Sequence, residues 1–189
     1  MQIHDQAARL RREADAVLEE QGLLAIARPL GETFVGGSYF YDLMTWRDLD
    51  LYINAPDVSI EDYFAFGAKV TVRFHAWKAF FTDSRTEGRG LYWGVRLGDT
   101  RSGAWKFDIW AVDATQFEEA SAGARALVRR LTPETRDAIL HIKDAYWSDP
   151  RYRDTITSAS IYAAVLDDGV RTIAEFEEYV SCPGSGPQS

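Results

Sequence analysis

With 189 residues, 46% of them hydrophobic and 26% charged, the chain is long enough to bury an ordinary core without disulfide staples, and no apolar run reaches the length of a membrane span. A formal net charge of −8 disfavours a long nucleic-acid partner and suits a cationic or neutral small acceptor; no nucleic acid and no membrane are expected as partners. A single cysteine, Cys182, excludes a disulfide framework within one chain, and the dispersed His4, His75 and His141 argue against a histidine metal site.

The N-terminus, MQIHDQAARLRREADAVLEEQG, is polar and amphipathic and lacks the apolar stretch of a secretory signal, so the expected location is the cytoplasm. Ala7, Leu10, Ala14, Val17 and Leu18 share one helical stripe, predicting a helix from Asp5 as N-cap to Gln21, closed by Gly22. Leu23 to Ala27 reads as a short apolar strand and Thr33 to Val35 as a second extended piece. A helix from Ser38 is expected to cover Tyr39 to Met44. In DLDLYIN the polar and apolar residues alternate, which turns Leu49, Leu51 and Ile53 to one side and Asp48, Asp50 and Tyr52 to the other.

Ser59 to His75 forms a further predicted helix, with Ser59 as N-cap, Glu61 and Asp62 in the first turn, and Ile60, Tyr63, Phe64, Gly67 and Phe74 on its buried side. Strands are expected at Ala79 to Asp83, Gly90 to Leu97 and Ala104 to Val112, parted by the turn-rich stretches SRTEGRG and GDTRSG. From Thr115 onward the pattern is helical. A capping box at Thr115/Glu118, a start at Thr132-Pro133, a stop at Asp149-Pro150 and a second box at Thr172/Glu175 mark its divisions. The organisation is therefore an α+β region over residues 1–113 with a mixed sheet flanked by helices, a helical segment over 114–181, and a disordered tail over 182–189. The oligomeric state is left open.

The stretch VGGSYFYDLMTWRDLDLYI joins a glycine turn, a helix start and a strand with two aspartates on one face. Glycines at 36 and 37 allow close backbone approach to an anion, a helix start favours negative charge, and the Ser38 hydroxyl adds a donor. Asp48 and Asp50, two apart on a strand, repel each other unless a cation joins them, and a hard oxygen-ligated cation such as magnesium suits them. Asp108, on the strand AWKFDIWAVD with Lys106 and Trp110 on its face, supplies a third carboxylate that would allow two metal positions. As metal ligand, general base or both, its role stays open. Lys106 and Arg47 either neutralise phosphate, pair with the aspartates, or face solvent. Arg85, Arg89 and Arg96 are alternative triphosphate contacts, and Trp46, Trp93 and Trp110 serve either as packing or, as the minority reading, as a stacking surface for a base.

These residues resemble the nucleotidyltransferase superfamily typified by DNA polymerase beta and by the kanamycin and lincosamide nucleotidyltransferases. The family pattern, a Gly-Ser at a helix start, an Asp-x-Asp on a strand and a single Asp on a neighbouring strand, is matched by Gly37-Ser38, Asp48-Leu49-Asp50 and Asp108, with nine residues between Ser38 and Asp48. The match spans roughly residues 23 to 113, and the helical segment resembles the one that completes the acceptor site of small antibiotic nucleotidyltransferases. The resemblance implies magnesium-dependent transfer of a nucleoside monophosphate, AMP from ATP above all, to a hydroxyl of a small molecule, an antibiotic among the candidates. It assigns Asp48 and Asp50 to the metals, Gly37 and Ser38, with Lys106, to the triphosphate, and Asp108 to activation of the acceptor. The alternative is a protein of this fold that modifies or binds a partner protein, as in toxin and antitoxin pairs.

Overall fold

The computed structural model describes residues 2–181. Cys182 and the expected disordered tail lie outside the described residues. The first helix, α1, runs Ile3–Asp15 and continues through a wider turn at Ala16–Glu20. It begins before Asp5, which lies in the first turn, but it buries Ala7, Leu10, Ala14, Val17 and Leu18 as the periodicity requires. Gly22 ends it at φ 83°, in the left-handed region that glycine enters without strain. Leu23–Ala27 then forms a short helix, α2, rather than a strand. Five apolar residues carry too little periodicity to separate the two, and here Leu23, Leu24 and Ala27 are the buried ones, a helical spacing.

Five strands follow: β1 Glu32–Val35, β2 Asp48–Asn54, β3 Lys78–Asp83, β4 Leu91–Arg96 and β5 Lys106–Val112, in the spatial order β1-β2-β5-β4-β3. β2 and β5 are parallel at the centre, and the other neighbours are antiparallel. The sheet is mixed, as expected for the α+β class. One face carries Leu49, Leu51, Ile53, Phe107, Ile109, Trp93 and Val95 into a core shared with α1, α2 and helix α4, Ile60–Arg73. Ser59 caps α4 by accepting from the Asp62 N–H at 3.0 Å. The buried stripe of α4 is Tyr63, Phe66, Gly67 and Val70, whereas Ile60 and Phe64 remain 39% and 44% exposed. Phe64 rests at the sheet margin, 4.6 Å from the Phe81 ring centroid.

Between β1 and β2 the expected long helix is a single turn, α3, Gly37–Phe40. Asp42 takes φ 57°, and the carbonyls freed there are bound from afar: Arg136 donates to Tyr41 O and Asp42 O at 2.8 Å each, and Lys143 donates to Leu43 O at 2.8 Å. Tertiary donors thus replace the helical ladder.

The helices α5 Ala114–Arg130, α6 Pro133–Tyr146, α7 Ser158–Leu166 and α8 Ile173–Ser181 complete the described chain. The box at the start of α5 is Asp113/Gln116, not Thr115/Glu118, because the same reciprocal spacing is met two residues earlier. Thr132 caps α6, and Thr172 and Glu175 cap α8 reciprocally at 3.2 and 3.0 Å, as expected. A second core unites Ile139, Ile142, Ile161, Val165 and Phe176 of these helices with Ala7, Leu43 and Trp46 from the first half of the chain. Among the described residues no helix is long and apolar enough to cross a membrane.

Candidate active site

Strand alternation and register build the site together. With Leu49, Leu51, Phe107 and Ile109 fully buried on one face, Asp48, Asp50, Lys106 and Asp108 stand half-buried on the other. The parallel pairing sets Asp50 beside Asp108 and Asp48 beside Lys106. Carboxylate oxygens of Asp48, Asp50 and Asp108 consequently lie within 4.8 Å of one another. All three predicted acidic residues are brought together.

Their environments differ. Lys106 Nζ bridges two of them, 3.0 Å from Asp48 Oδ1 and 2.5 Å from Asp108 Oδ2. Asp108 Oδ1 also accepts from the Tyr92 hydroxyl at 2.6 Å and from Arg96 at 3.1 Å. Burial pushes the Asp108 carboxyl up, but Lys106, Tyr92 and Arg96 outweigh it and hold the group below the usual carboxylate range. Burial likewise opposes the Lys106 ammonium, and the three aspartates more than restore it, so that its pKa is raised. Asp50 makes no ion pair among the described residues; burial first, and then the Asp48 charge, lift its pKa to about 7. Asp48 is raised for the same first reason, against the pull of Lys106. A close-set carboxylate trio with one member left unneutralised fits a hard divalent cation, since only oxygen donors are offered.

Gly37 lies directly against this trio. It takes φ 58°, and a Cβ placed on it would fall 2.0 Å from Asp50 Oδ2, so glycine is needed here for both conformation and room. Ser38 faces the helical segment: its Oγ lies 2.6 Å from Lys143 Nζ and 3.2 Å from the Tyr162 hydroxyl. Lys143, on α6, is fully buried and spends its three donors on Ser38 Oγ, Leu43 O and, at 3.0 Å, the Tyr162 hydroxyl. Burial lowers its pKa, with Tyr152, Asp48 and Asp50 opposing.

Two of these contributors escape a reading of the sequence motif. Lys143 lies among Ile139, Ile142 and Tyr146 on the buried side of α6, and a lysine on an apolar stripe is the signal that marks it. Tyr92 shares a strand face with Gly94 and Arg96, and Gly94 pairs across the sheet with Asp108. A Cβ at Gly94 would meet the Tyr92 hydroxyl at 2.7 Å and Phe80 at 2.5 Å, so the missing side chain is what lets the phenol reach Asp108.

Other candidates separate cleanly. Arg47 turns away to Glu13 at 2.7 Å and to Gly103 O at 2.9 Å. Arg85 pairs with Asp83 and Arg89 with Glu87 near the opposite end of β4, leaving Arg96 as the arginine of this trio at the site. Trp93 belongs to the sheet core; Trp46 belongs to the helical core but borders the site, with its ring centroid 5.5 Å from Lys106 Nζ. Trp110 lies on the site face, its ring centroid 4.6 Å from that of Tyr92.

No protein-family model and no curated protein matches the chain. Solved structures do. A cytoplasmic RNA terminal U-transferase is similar over 82% of this chain and 45% of its own, with 19% identity and a TM-score of 0.54. Terminal uridylyl transferase 4 from Trypanosoma brucei with bound dUTP is similar over 82% of this chain and 52% of its own, at 20% identity and a TM-score of 0.55. The Cid1 poly(U) polymerase with MgGTP bound covers 84% of this chain and 50% of its own, at 16% identity and a TM-score of 0.55. The chain spans about half the length of the structures it matches. Their likeness shows that this chain has the fold of these transferases, and on that fold the carboxylate trio stands on two parallel strands behind a glycine turn.

Proposed function

We propose that the chain is a magnesium-dependent nucleotidyltransferase that transfers a nucleoside monophosphate, AMP from ATP in the leading case, to a hydroxyl group of a small molecule in the cytoplasm. One observation carries the reading: Asp48, Asp50 and Asp108 converge within 4.8 Å while Gly37 leaves space against Asp50 that any side chain would fill. Magnesium held by Asp48 and Asp50 would supply positive charge to the phosphoryl oxygens and the departing pyrophosphate. Gly37, Ser38 and Lys106 would bind the triphosphate. The acceptor hydroxyl oxygen bonds to the α-phosphorus, the bond from that phosphorus to the β,γ-pyrophosphate breaks, and Asp108 takes the hydroxyl proton. Kept ionised by its three donors, Asp108 orients the hydroxyl before the proton moves, and a positioned base of this kind contributes about 10²- to 10⁴-fold.

Incubation with magnesium, each labelled nucleoside triphosphate and a panel of hydroxyl acceptors, aminoglycosides and lincosamides included, tests it. Pyrophosphate release with label on a small acceptor is expected, and it should disappear in Asp48→Ala and Asp108→Ala. No release with any triphosphate across the panel overturns the catalytic reading, and label found only on protein replaces the small acceptor with a partner protein.

A second reading places an RNA 3′ end in the acceptor position. The observation in its favour is that the similar structures include an RNA terminal U-transferase and a terminal uridylyl transferase. Against it stands the net charge of −8. An RNA oligonucleotide and UTP belong in the same panel, and extension of the oligonucleotide would decide for this acceptor.

A further inference from the structure

Lys106 occupies a position that a second metal would need. It precedes Asp108 by two residues on β5, so it shares the face of Asp108, and the register sets it opposite Asp48. Its ammonium is held on both carboxylates at 3.0 and 2.5 Å, with the side chain only 12% exposed. Charge and bulk flank it on two sides. Arg96 is its partner on the β4 side and pairs with Asp108 itself, while the Trp46 ring lies 5.5 Å from Nζ on another side.

Charge completes the picture. Three carboxylates face two fixed cations, Lys106 and Arg96, which leaves one negative charge in excess. The carboxylate oxygens without a bonded donor among the described residues are those of Asp50 and the second oxygen of Asp48. One divalent cation already exceeds that remainder by one positive charge. A second, shared between Asp48 and Asp108, would have to expel the ammonium and leave it stranded beside a dication and a guanidinium.

We propose, resting on the nucleotidyl-transfer reading above, that Lys106 is a resident cation in place of one of the two expected metals: the site works with a single divalent cation on Asp48 and Asp50, and Lys106 stays on Asp48 and Asp108. Lys106 is in this sense a residue that sets metal number as well as charge.

Counting bound ions tests this. Manganese is titrated into the protein, free ion is followed by electron paramagnetic resonance, and the titration is repeated with saturating α,β-methylene ATP. Wild type should bind one ion per chain under either condition. Lys106→Met should bind a second at least ten-fold more tightly than wild type does, with the line broadening of two neighbouring ions. Lys106→Gln serves as a parallel variant, with folding of both followed by thermal melting. Two ions in wild type, or none, overturn the proposal, as does a folded Lys106 variant that still takes one; the wild-type count decides even where neither variant folds. The two readings fail separately. Ion counts of one and two with no pyrophosphate from any triphosphate would refute nucleotidyl transfer and leave the Lys106 assignment intact, whereas transfer with two ions bound to wild type would do the reverse.

Discussion

Asp50→Asn should reduce a fall in stability that the metal-free chain shows as pH rises. The carboxyl of Asp50 is lifted from 3.8 to about 7 in the folded chain, by burial and then by the Asp48 charge. Because the folded-state value lies above the unfolded one, the folded chain holds the proton more tightly between the two, and stability drops as pH increases through that window. Between pH 5 and pH 8 the difference between these two titrations amounts to about 2.5 kcal/mol, or a loss of about 5 to 10 °C in melting temperature for a chain of this size. The assay is thermal and urea unfolding in EDTA at both pH values, with the Asn variant subtracted from wild type so that surface carboxylates and histidines cancel. The subtraction reports Asp50 together with its coupling to Asp48. Magnesium at pH 8 should restore wild type and leave the variant unmoved. A fall of equal size in both proteins would refute the reasoning, since it would place the titrating group elsewhere.

Gly37→Ala should lose metal binding and transfer together while the chain still melts cooperatively, because the added Cβ falls 2.0 Å from Asp50 Oδ2 at a backbone φ of 58°; calorimetric titration with magnesium measures it. Tyr92→Phe removes one of the donors that hold Asp108 ionised, so the acid limb of the rate profile should move to higher pH; an unmoved limb would show that Asp108 does not govern it. Lys143→Met leaves Leu43 O and the hydroxyls of Ser38 and Tyr162 short of a donor and should cost about 1 to 3 kcal/mol in urea unfolding. EDTA at pH 5.5 should leave the chain folded, with circular dichroism as the readout, because Lys106 and Arg96 already neutralise two of the three carboxylates. Unfolding on chelation would mean that the metal holds the fold.

What was legible in the chain is what depends on neighbours in sequence. Period-two alternation placed Asp48 with Asp50, and Lys106 with Asp108, on one face of their respective strands, and the local caps at Ser59, Thr132 and Thr172 were readable because a cap is completed within three residues. The helix expected to reach Met44 failed for the opposite reason. Its carbonyls at Tyr41, Asp42 and Leu43 are taken by Arg136 and Lys143, nearly a hundred residues away, and no local propensity records such donors. Leu23 to Ala27 failed because an apolar run of five suits a strand and a helix turn equally. In α4 the buried ring is Phe66 at 3% exposed, whereas the expected Phe64 is 44% exposed and packs on Phe81.

The same distinction explains why one cation of the site was in view and the other was not. Lys106 belongs to the strand of Asp108, so alternation alone brings it to the carboxylates. Lys143 reaches Ser38 only after α6 has packed against α7 and the loop carrying Leu43 and Trp46, and that packing is a consequence of the second core. Its burial is tolerable because Ser38, Leu43 O and Tyr162 satisfy all three of its protons, and an uncompensated ammonium at that depth would cost several kcal/mol. The helical segment is thereby tied to the turn that opens the site by a contact spanning 105 positions. A disturbance of α6 must reach Ser38 through that ammonium even though, among the described residues, none after Val112 joins the Asp48, Asp50 and Asp108 trio.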